Sequence, residues 1–241
     1  MVEYKGIYLP DGETHLIEWM EIMKQFRDGK PMYQGHKYDA AMKHVRRRGL
    51  AVDVGGHCGL WSRVMALDFA RVVAFEPMKA HIECWKANMA GHGNAQLVEC
   101  ALGETEGEVF IKTRTPGSSG DTGVDPAAER SSLRAAVDSE GQATPLKRLD
   151  DFHLMDVDFM KLDTEGYELF VLRGAEETLK RCKPTIIVEQ KAETGGAERY
   201  GIGVTDAVKY LQGLGAVLRG SLQGDYILSW NQEGISASAT N

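Results

Sequence analysis

Residues 51–59 read Ala51-Val52-Asp53-Val54-Gly55-Gly56-His57-Cys58-Gly59, and residues 71–77 read Arg71-Val72-Val73-Ala74-Phe75-Glu76-Pro77. Together they spell a strand, a glycine turn, a helix and a second strand ending in an acid. The apolar runs suit parallel strands buried on both faces. Glycines let the backbone turn sharply and approach a ligand closely, and the following helix offers free N–H groups. Glu76, about 20 residues past the turn, stands where a carboxylate can accept hydrogen bonds from both hydroxyls of an adenosine ribose. This order of parts builds a nucleotide-type cofactor site, so the chain reads as an enzyme.

Two cofactors fit that order, and the glycines discriminate between them. A dinucleotide site wants Gly-x-Gly-x-x-Gly to admit a pyrophosphate. Here Gly55-Gly56-His57-Cys58-Gly59 lacks that spacing, and Asp53 precedes the first glycine by two residues. An acid there repels a pyrophosphate and attracts an ammonium. S-adenosylmethionine carries an α-amino group and a sulfonium and no phosphate, so the acid-first version suits it better than NAD.

The chain has 241 residues, 43% of them hydrophobic, which is enough to bury one α/β core. Its net charge of −7 provides no global basic field for nucleic acid or an anionic membrane. The one basic cluster, from Lys43 to Arg48, reads as cations closing a helix. No apolar run approaches a membrane span, and the first five residues do not open a signal peptide. A soluble cytoplasmic protein is expected. Cys58, Cys84, Cys100 and Cys182 are scattered, as reduced structural thiols are, and no metal site is expected.

Along the chain, the spacing of Leu16, Ile17, Met20, Met23 and Phe26 predicts a helix over 13–27, and a second helix is expected over 33–48. Strands and helices then alternate: strands at 50–54, 72–76, 95–100, 157–162 and 185–189, helices at 58–68, 79–89, 167–181 and 205–214. Such alternation predicts a parallel sheet with right-handed crossovers. A strand-like segment at 108–112 precedes a long loop over 113–143. Residues 216–219 and 226–230 read as an antiparallel hairpin, so the last strand is reversed. The expected organisation is an N-terminal helical segment over 1–49, a catalytic domain over 50–230 and a flexible tail over 231–241.

A second chemical cluster, Lys161-Leu162-Asp163-Thr164-Glu165-Gly166-Tyr167-Glu168, releases three carboxylates from the end of a buried strand. In a parallel α/β sheet the carboxyl ends of the strands open into the ligand crevice. Asp163 and Glu165 are therefore expected to face the same crevice as Gly55 and Glu76. Glu168, one turn into the next helix, can equally well cap that helix or serve chemistry.

These residues resemble the FkbM-type S-adenosylmethionine-dependent methyltransferases. The likeness runs in order from about Val52 to Gln190: Val52-Asp53-Val54-Gly55 with Gly59, Ala74-Phe75-Glu76-Pro77, Asn88, Ala101-Leu102-Gly103, Leu149-Asp150-Asp151-Phe152, Lys161 to Glu168, Leu172-Arg173-Gly174-Ala175 and Pro184 to Glu189. Members usually have Ala-Asn where this chain has Gly56-His57. The resemblance implies a Rossmann-like class I α/β fold, with a mostly parallel seven-stranded sheet, an antiparallel last strand and helices on both faces. It also implies O-methylation of a sugar or other small-metabolite hydroxyl, and it weakens before residue 50 and through 113–143.

The chemistry expected is in-line displacement, with S-adenosylhomocysteine as product and alignment supplying most of the acceleration. Asp53, Gly55, Gly56, His57 and Gly59 are expected around the methionine moiety, Glu76 and Pro77 at the ribose, and Ala101 and Leu102 beside adenine, with Asp163 on the cofactor's other side. Asp163 is the first candidate for base or acceptor-orienting residue, followed by Glu165, Lys161 and Glu189. His57 has the intrinsic pKa of a base. A divalent metal on Asp163, Glu165 and Glu189 is a further route to an activated hydroxyl, though none is expected. Tyr33, Gln34, Tyr38 and residues 117–125 are candidates for an acceptor lid. The acidic surface and the absence of an Asn/Asp-Pro-Pro-Tyr/Phe string argue for a small-molecule acceptor over nucleic acid. A non-catalytic cofactor-binding module and an NAD-dependent oxidoreductase are the alternatives.

Overall fold

A computed structural model describes residues 1–125, 141–190 and 196–231. The main sheet has seven strands: β1 (Leu50–Val54), β2 (Arg71–Phe75), β3 (Ala95–Val98), β4 (Val157–Leu162), β5 (Thr185–Glu189), β6 (Ala216–Leu222) and β7 (Asp225–Trp230). Their order across the sheet is β6-β7-β5-β4-β1-β2-β3. β1 is buried at all five positions because parallel strands flank it, with Asp53 level with Lys161 of β4 and Ala74 of β2. Only β7 is reversed, antiparallel to β5 and to β6. This is the Rossmann-like class I arrangement expected from the alternation and the final hairpin.

The helices are α1 (His15–Met23), α2 (Gly35–Met42), α3 (Leu60–Asp68), α4 (Lys79–Asn88), α5 (Glu168–Arg173), α6 (Glu176–Cys182) and α7 (Asp206–Gly213). Period-two alternation in the strands sends alternate side chains to opposite faces. Val52, Val54, Phe75, Met160 and Leu162 meet Leu172, Leu179 and Leu211 of α5 to α7 on one face. Ala51, Val72, Ala74 and Phe159 meet Tyr38, Trp61, Val64 and Trp85 of α2 to α4 on the other. A third cluster joins Ile7, Leu9, Leu16 and Met20 to Cys58, Leu60 and Cys84, which seats α1 beside the glycine turn. Among the described residues no helix is long and apolar enough to cross a membrane.

Several boundaries differ from the sequence reading. The helix expected over 13–27 stops at Met23, where Lys24 turns left-handed, and Phe26 is 57% exposed in a short hairpin with Pro31. Asp28 and Gly29 both take positive φ in the turn of that hairpin, the conformation that an Asp-Gly pair supplies. Lys5 and Gly6 do the same between Val2–Tyr4 and Ile7–Leu9, so the N-terminal segment is not helical alone. The helix expected over 33–48 ends at Met42. The basic cluster lies beyond it and holds other partners: Arg46 donates to the Trp230 carbonyl at 3.3 Å, Arg47 to Asp158 at 3.0 Å, and Arg48 pairs with Asp68 at 3.4 Å. The helix expected over 167–181 is two helices, broken where Gly174 crosses the Gly103 carbonyl too closely for any side chain.

The strand-like segment became part of a second, four-stranded sheet. It orders Thr122–Val124, Gly107–Thr113, Gln142–Lys147 and Ala101–Leu102, and it covers one flank of the crevice. The expected long loop is thus partly strand. Residues 126–140 of that loop and 232–241 of the expected tail lie outside the described residues.

Candidate active site

β1, β2, β4 and β5 all release their chains at the same edge of the sheet, and a cavity of about 1180 Å³ opens there. Gly55, Gly56, His57, Glu76, Pro77, Ala101, Leu102, Lys161, Asp163 and Glu165 all line it. The structure therefore brings the two clusters read from the sequence into one crevice. Asp53 and Gly59 are the expected site residues that do not line it.

Asp53 is 0% exposed and points to the α3 side of the sheet. Its carboxylate accepts from the Ser62 hydroxyl at 2.6 Å and faces the Lys161 ammonium at 3.9 Å. Burial raises its pKa, and Lys161 and Ser62 act against that shift. Asp53 thus sits behind the crevice lining, against Lys161, which does line it. Gly59 is displaced for a different reason: it lies under Trp85, where a Cβ would come within 2.9 Å of the indole, and so it serves packing.

The glycine turn is tight for a reason the sequence did not show. A Cβ on Gly55, at φ +75°, would lie 1.9 Å from the Asp163 carbonyl oxygen, so the two strand ends are in direct backbone contact. The N–H groups of Gly55 and Gly56 both donate to the Phe75 carbonyl at 3.0 Å. What the turn offers the crevice is therefore carbonyl oxygen, and Lys161 already donates to that of Gly55 at 3.3 Å.

Glu76, 4% exposed, is clamped by its own neighbourhood. One oxygen accepts from the His57 N–H at 2.7 Å; the other accepts from the Met78 N–H at 2.8 Å and lies 3.2 Å from His81 Nδ1. A carboxylate has about four lone-pair sites, so this clamp orients Glu76 and leaves capacity for a ligand hydroxyl. The His57 ring lies 4.1 Å from that of His81, and its Nε2 is 2.9 Å from Ser119 Oγ. Burial, then His81 and Lys161, push the His57 pKa well below the ordinary imidazole value. That makes His57 a weak base at neutral pH.

At the other end of the crevice Lys161 lies 3.3 Å from Asp163 and 5.8 Å from the centre of the Trp61 ring. Burial opposes its charge, but Asp163, Asp53 and Glu189 outweigh burial and raise its pKa. The raised pKa favours the charged ammonium, which makes Lys161 the counter-charge of the carboxylate cluster. Asp163, Glu165 and Glu189 offer oxygens within 4.8 Å of one another. Glu165 adopts φ +56°, a conformation uncommon outside glycine and frequent at functional sites. Glu168 is 1% exposed and accepts from the N–H groups of Thr164 at 2.8 Å and Gly166 at 3.0 Å, so it braces the turn that presents Asp163 and Glu165.

The rest of the lining comes from places that local reading could not reach. His15, Leu16, Trp19 and Met23 arrive on α1; Met32, Tyr33, Gln34, His36 and Lys37 precede or open α2; Gln223 and Tyr226 arrive from the β6–β7 turn. Of the expected lid residues, Tyr33, Gln34 and residues 118–124 line the cavity. Tyr38 does not: it is core, with its hydroxyl donating to Asp68 at 2.7 Å. Buried Lys37 pairs with Asp225 and ties α2 to the β6–β7 turn.

Comparison with known proteins adds four findings. Methyltransferase sdnD of Sordaria araneosa is 26% identical over 196 residues, covering 69% of this chain and 74% of that protein. Methyltransferase 1 of Beauveria bassiana is 26% identical over 156 residues, and the chain spans 63% of its length. The crystal structure of methyltransferase FkbM from Methylobacillus flagellatus superposes with a TM-score of 0.50 at 18% identity, over 77% of this chain and 45% of that one, which supports the fold. The model of the methyltransferase FkbM domain matches residues 53–215, from the buried Asp53 of β1 to the turn before β6, and the chain belongs to that family.

Proposed function

We propose that this chain methylates a hydroxyl oxygen of a small-molecule acceptor, such as a sugar, with S-adenosylmethionine as donor. The observation that carries the reading is the placement of Glu76 and the Asp163–Lys161 pair in one cavity at the carboxyl edge of the sheet. The donor set fits the cofactor: an oriented carboxylate for the ribose, buried Ala101, Leu102 and Ile111 for adenine, and the Gly55 carbonyl for an α-ammonium. Five carboxylates, of Glu76, Asp121, Asp163, Glu165 and Glu189, line the crevice against three cations, Lys37, Lys161 and Arg199, and that acidic balance suits a sulfonium and opposes a pyrophosphate. S-adenosylmethionine, when bound, supplies a methyl group already activated by positive sulfur.

The chain's own residues then have to hold the acceptor and take its proton. Asp163 is the proposed base or acceptor-orienting group, because Lys161 offsets its charge and Glu168 fixes the turn that carries it. Glu165 and Glu189 are placed to accept from further acceptor hydroxyls. Trp19, Met23, Met32 and Tyr33 give the opposite wall an apolar surface, against which the carbon face of an acceptor can stack. The free thiols Cys58, Cys84, Cys100 and Cys182 suit a reducing compartment such as the cytoplasm.

The test is incubation with S-adenosylmethionine and a panel of sugars, polyols, phenols and amines, following S-adenosylhomocysteine and the mass of each acceptor. A methoxy product from a hydroxyl acceptor supports the reading. Methylation confined to the amines overturns the O-methyl assignment.

A further inference from the structure

Behind the crevice wall beside His57, Ser119 is held by a residue that lies outside the region shared with the family. Glu13, 3% exposed, precedes α1 and so lies before residue 53, where the family match begins. One of its oxygens accepts from the Leu16 N–H at 2.8 Å. The other accepts from the Ser119 N–H at 2.7 Å and from the Ser119 hydroxyl. Ser119 Oγ also meets His57 Nε2 at 2.9 Å. The same two segments are laced by their backbones, since Thr14 and His15 donate to the Gly117 carbonyl at 3.2 and 3.4 Å.

We propose that Glu13 is a positioning residue of the cofactor site, acting through Ser119 on His57. A carboxylate only accepts hydrogen bonds, and a serine hydroxyl has one proton to give. With that proton directed to Glu13, Ser119 can only accept from the imidazole. His57 is thereby held as the neutral tautomer with hydrogen on Nε2. The residue is fixed on three sides: its backbone N–H by Glu76, its ring edge by Ser119 and its ring face by His81. The charged groups around the ring are Glu76, Lys161 and Asp163.

The consequence is a chain of contacts from the N-terminal segment to the ribose carboxylate. His57 stands where the family usually has asparagine, at a left-handed φ of +47°. That backbone aims its N–H at Glu76. Releasing the ring lets the turn relax and takes from Glu76 one of the two amides that orient it. The inference rests on the cofactor reading above, and it assigns to residues before 53 a part in that site.

The experiment uses the full chain, S-adenosylhomocysteine as the calorimetric ligand and 15N NMR of the histidine rings. Glu13→Gln and Ser119→Ala are each expected to weaken binding about 5- to 30-fold, the equivalent of about 1–2 kcal/mol. Ser119→Thr, which keeps the hydroxyl, restores it, and the Glu13→Gln/Ser119→Ala double variant is no worse than either single one. In the wild type His57 carries its proton on Nε2. In Glu13→Gln the amide can donate to Ser119, freeing the serine proton for His57, and the population moves toward Nδ1–H. Unchanged affinity and an unchanged tautomer in Glu13→Gln, with wild-type binding intact, overturn the proposal alone. Losses in Ser119→Ala that Ser119→Thr fails to restore also overturn it. A wild-type chain that does not bind S-adenosylhomocysteine instead overturns the cofactor reading on which the proposal rests.

Discussion

The two halves of the crevice are built on different plans. On the β1–β2 side the polar groups are bound to one another over a short stretch of chain: Gly55 and Gly56 to Phe75, His57 and Met78 to Glu76. On the β4–β5 side Asp163 and Glu165 come from one turn, but the wall facing them is assembled from α1, the approach to α2 and the β6–β7 turn. The first half is bound together mainly between two adjacent strand ends, with one long-range tie from Glu13 through Ser119 to His57. The second depends on tertiary docking of segments nearly 200 residues apart, as in the Lys37–Asp225 pair. On the proposed reading, that division lets the acceptor wall change without disturbing the donor turn.

The division can be broken most severely at Asp163. Asp163→Asn is expected to lower kcat by about 10²- to 10⁴-fold, the range of a lost general base, while S-adenosylhomocysteine affinity stays within about tenfold, since the isosteric amide keeps a hydrogen-bonding group there and the contacts of the Gly55–Glu76 turn remain. Undiminished turnover removes Asp163 from the chemistry. Equal losses in both quantities mean that the two halves are not separable.

Next in size is the tie that holds the acceptor wall. Lys37 and Asp225 are both buried, and leaving one ion of such a pair without its partner costs about 3–5 kcal/mol. Lys37→Met should therefore lower Tm by on the order of 10 °C, whereas a Lys37→Met/Asp225→Leu double variant should recover most of that loss. Hydrogen exchange places the effect: faster exchange in α2 and in the β6–β7 turn, with β1 and β2 unchanged. Uniform acceleration across the sheet contradicts the two-part construction.

The smallest effect is on acid stability. The folded state lowers the proton affinity of His57, so the unfolded chain binds the proton more readily. Stability from this group is present above the ordinary imidazole pKa and is lost as pH falls below about 6.5. His44 and His92, also lowered by burial, contribute with the same sign. In His57→Asn the urea midpoint should fall less between pH 7 and pH 5.5 than in the wild type, and an unchanged slope contradicts a buried neutral ring.

This contrast also marks how far the residues could be read before the fold was known. β1, β2, β4 and β5 stand within a residue of their expected bounds because each is a mostly apolar, β-branched-rich run bounded by glycine or acid. The reversed β7 followed from the turn residues around Gly224. Glu76, Asp163 and Glu165 could be placed because strand ends of a parallel sheet share an edge. That Asp53 does not line the cavity was not legible, because the motif does not show that its side chain is covered by Ser62 of α3 and by Lys161. Gly59 was misplaced because a glycine under an indole looks the same in sequence as one beside a ligand. The α1 wall, Glu13 and the contact of Ser119 with His57 were illegible for a different reason: they depend on contacts between distant segments, and no local periodicity records such a contact. The two N-terminal hairpins carried a signal that was available, in Lys5-Gly6 and Asp28-Gly29.

The central claim is that the Gly55–Glu76 turn holds S-adenosylmethionine by the carboxylate of Glu76. Calorimetric titration of S-adenosylhomocysteine into the wild-type chain and into Glu76→Ala, with melting curves to establish that both are folded, tests it most directly. The account predicts saturable binding to the wild type and an affinity about 10- to 100-fold weaker in Glu76→Ala, as expected for paired hydrogen bonds to a charged group. Equal affinity in the two proteins, or stabilisation of the wild type by NAD and not by S-adenosylhomocysteine, would contradict it.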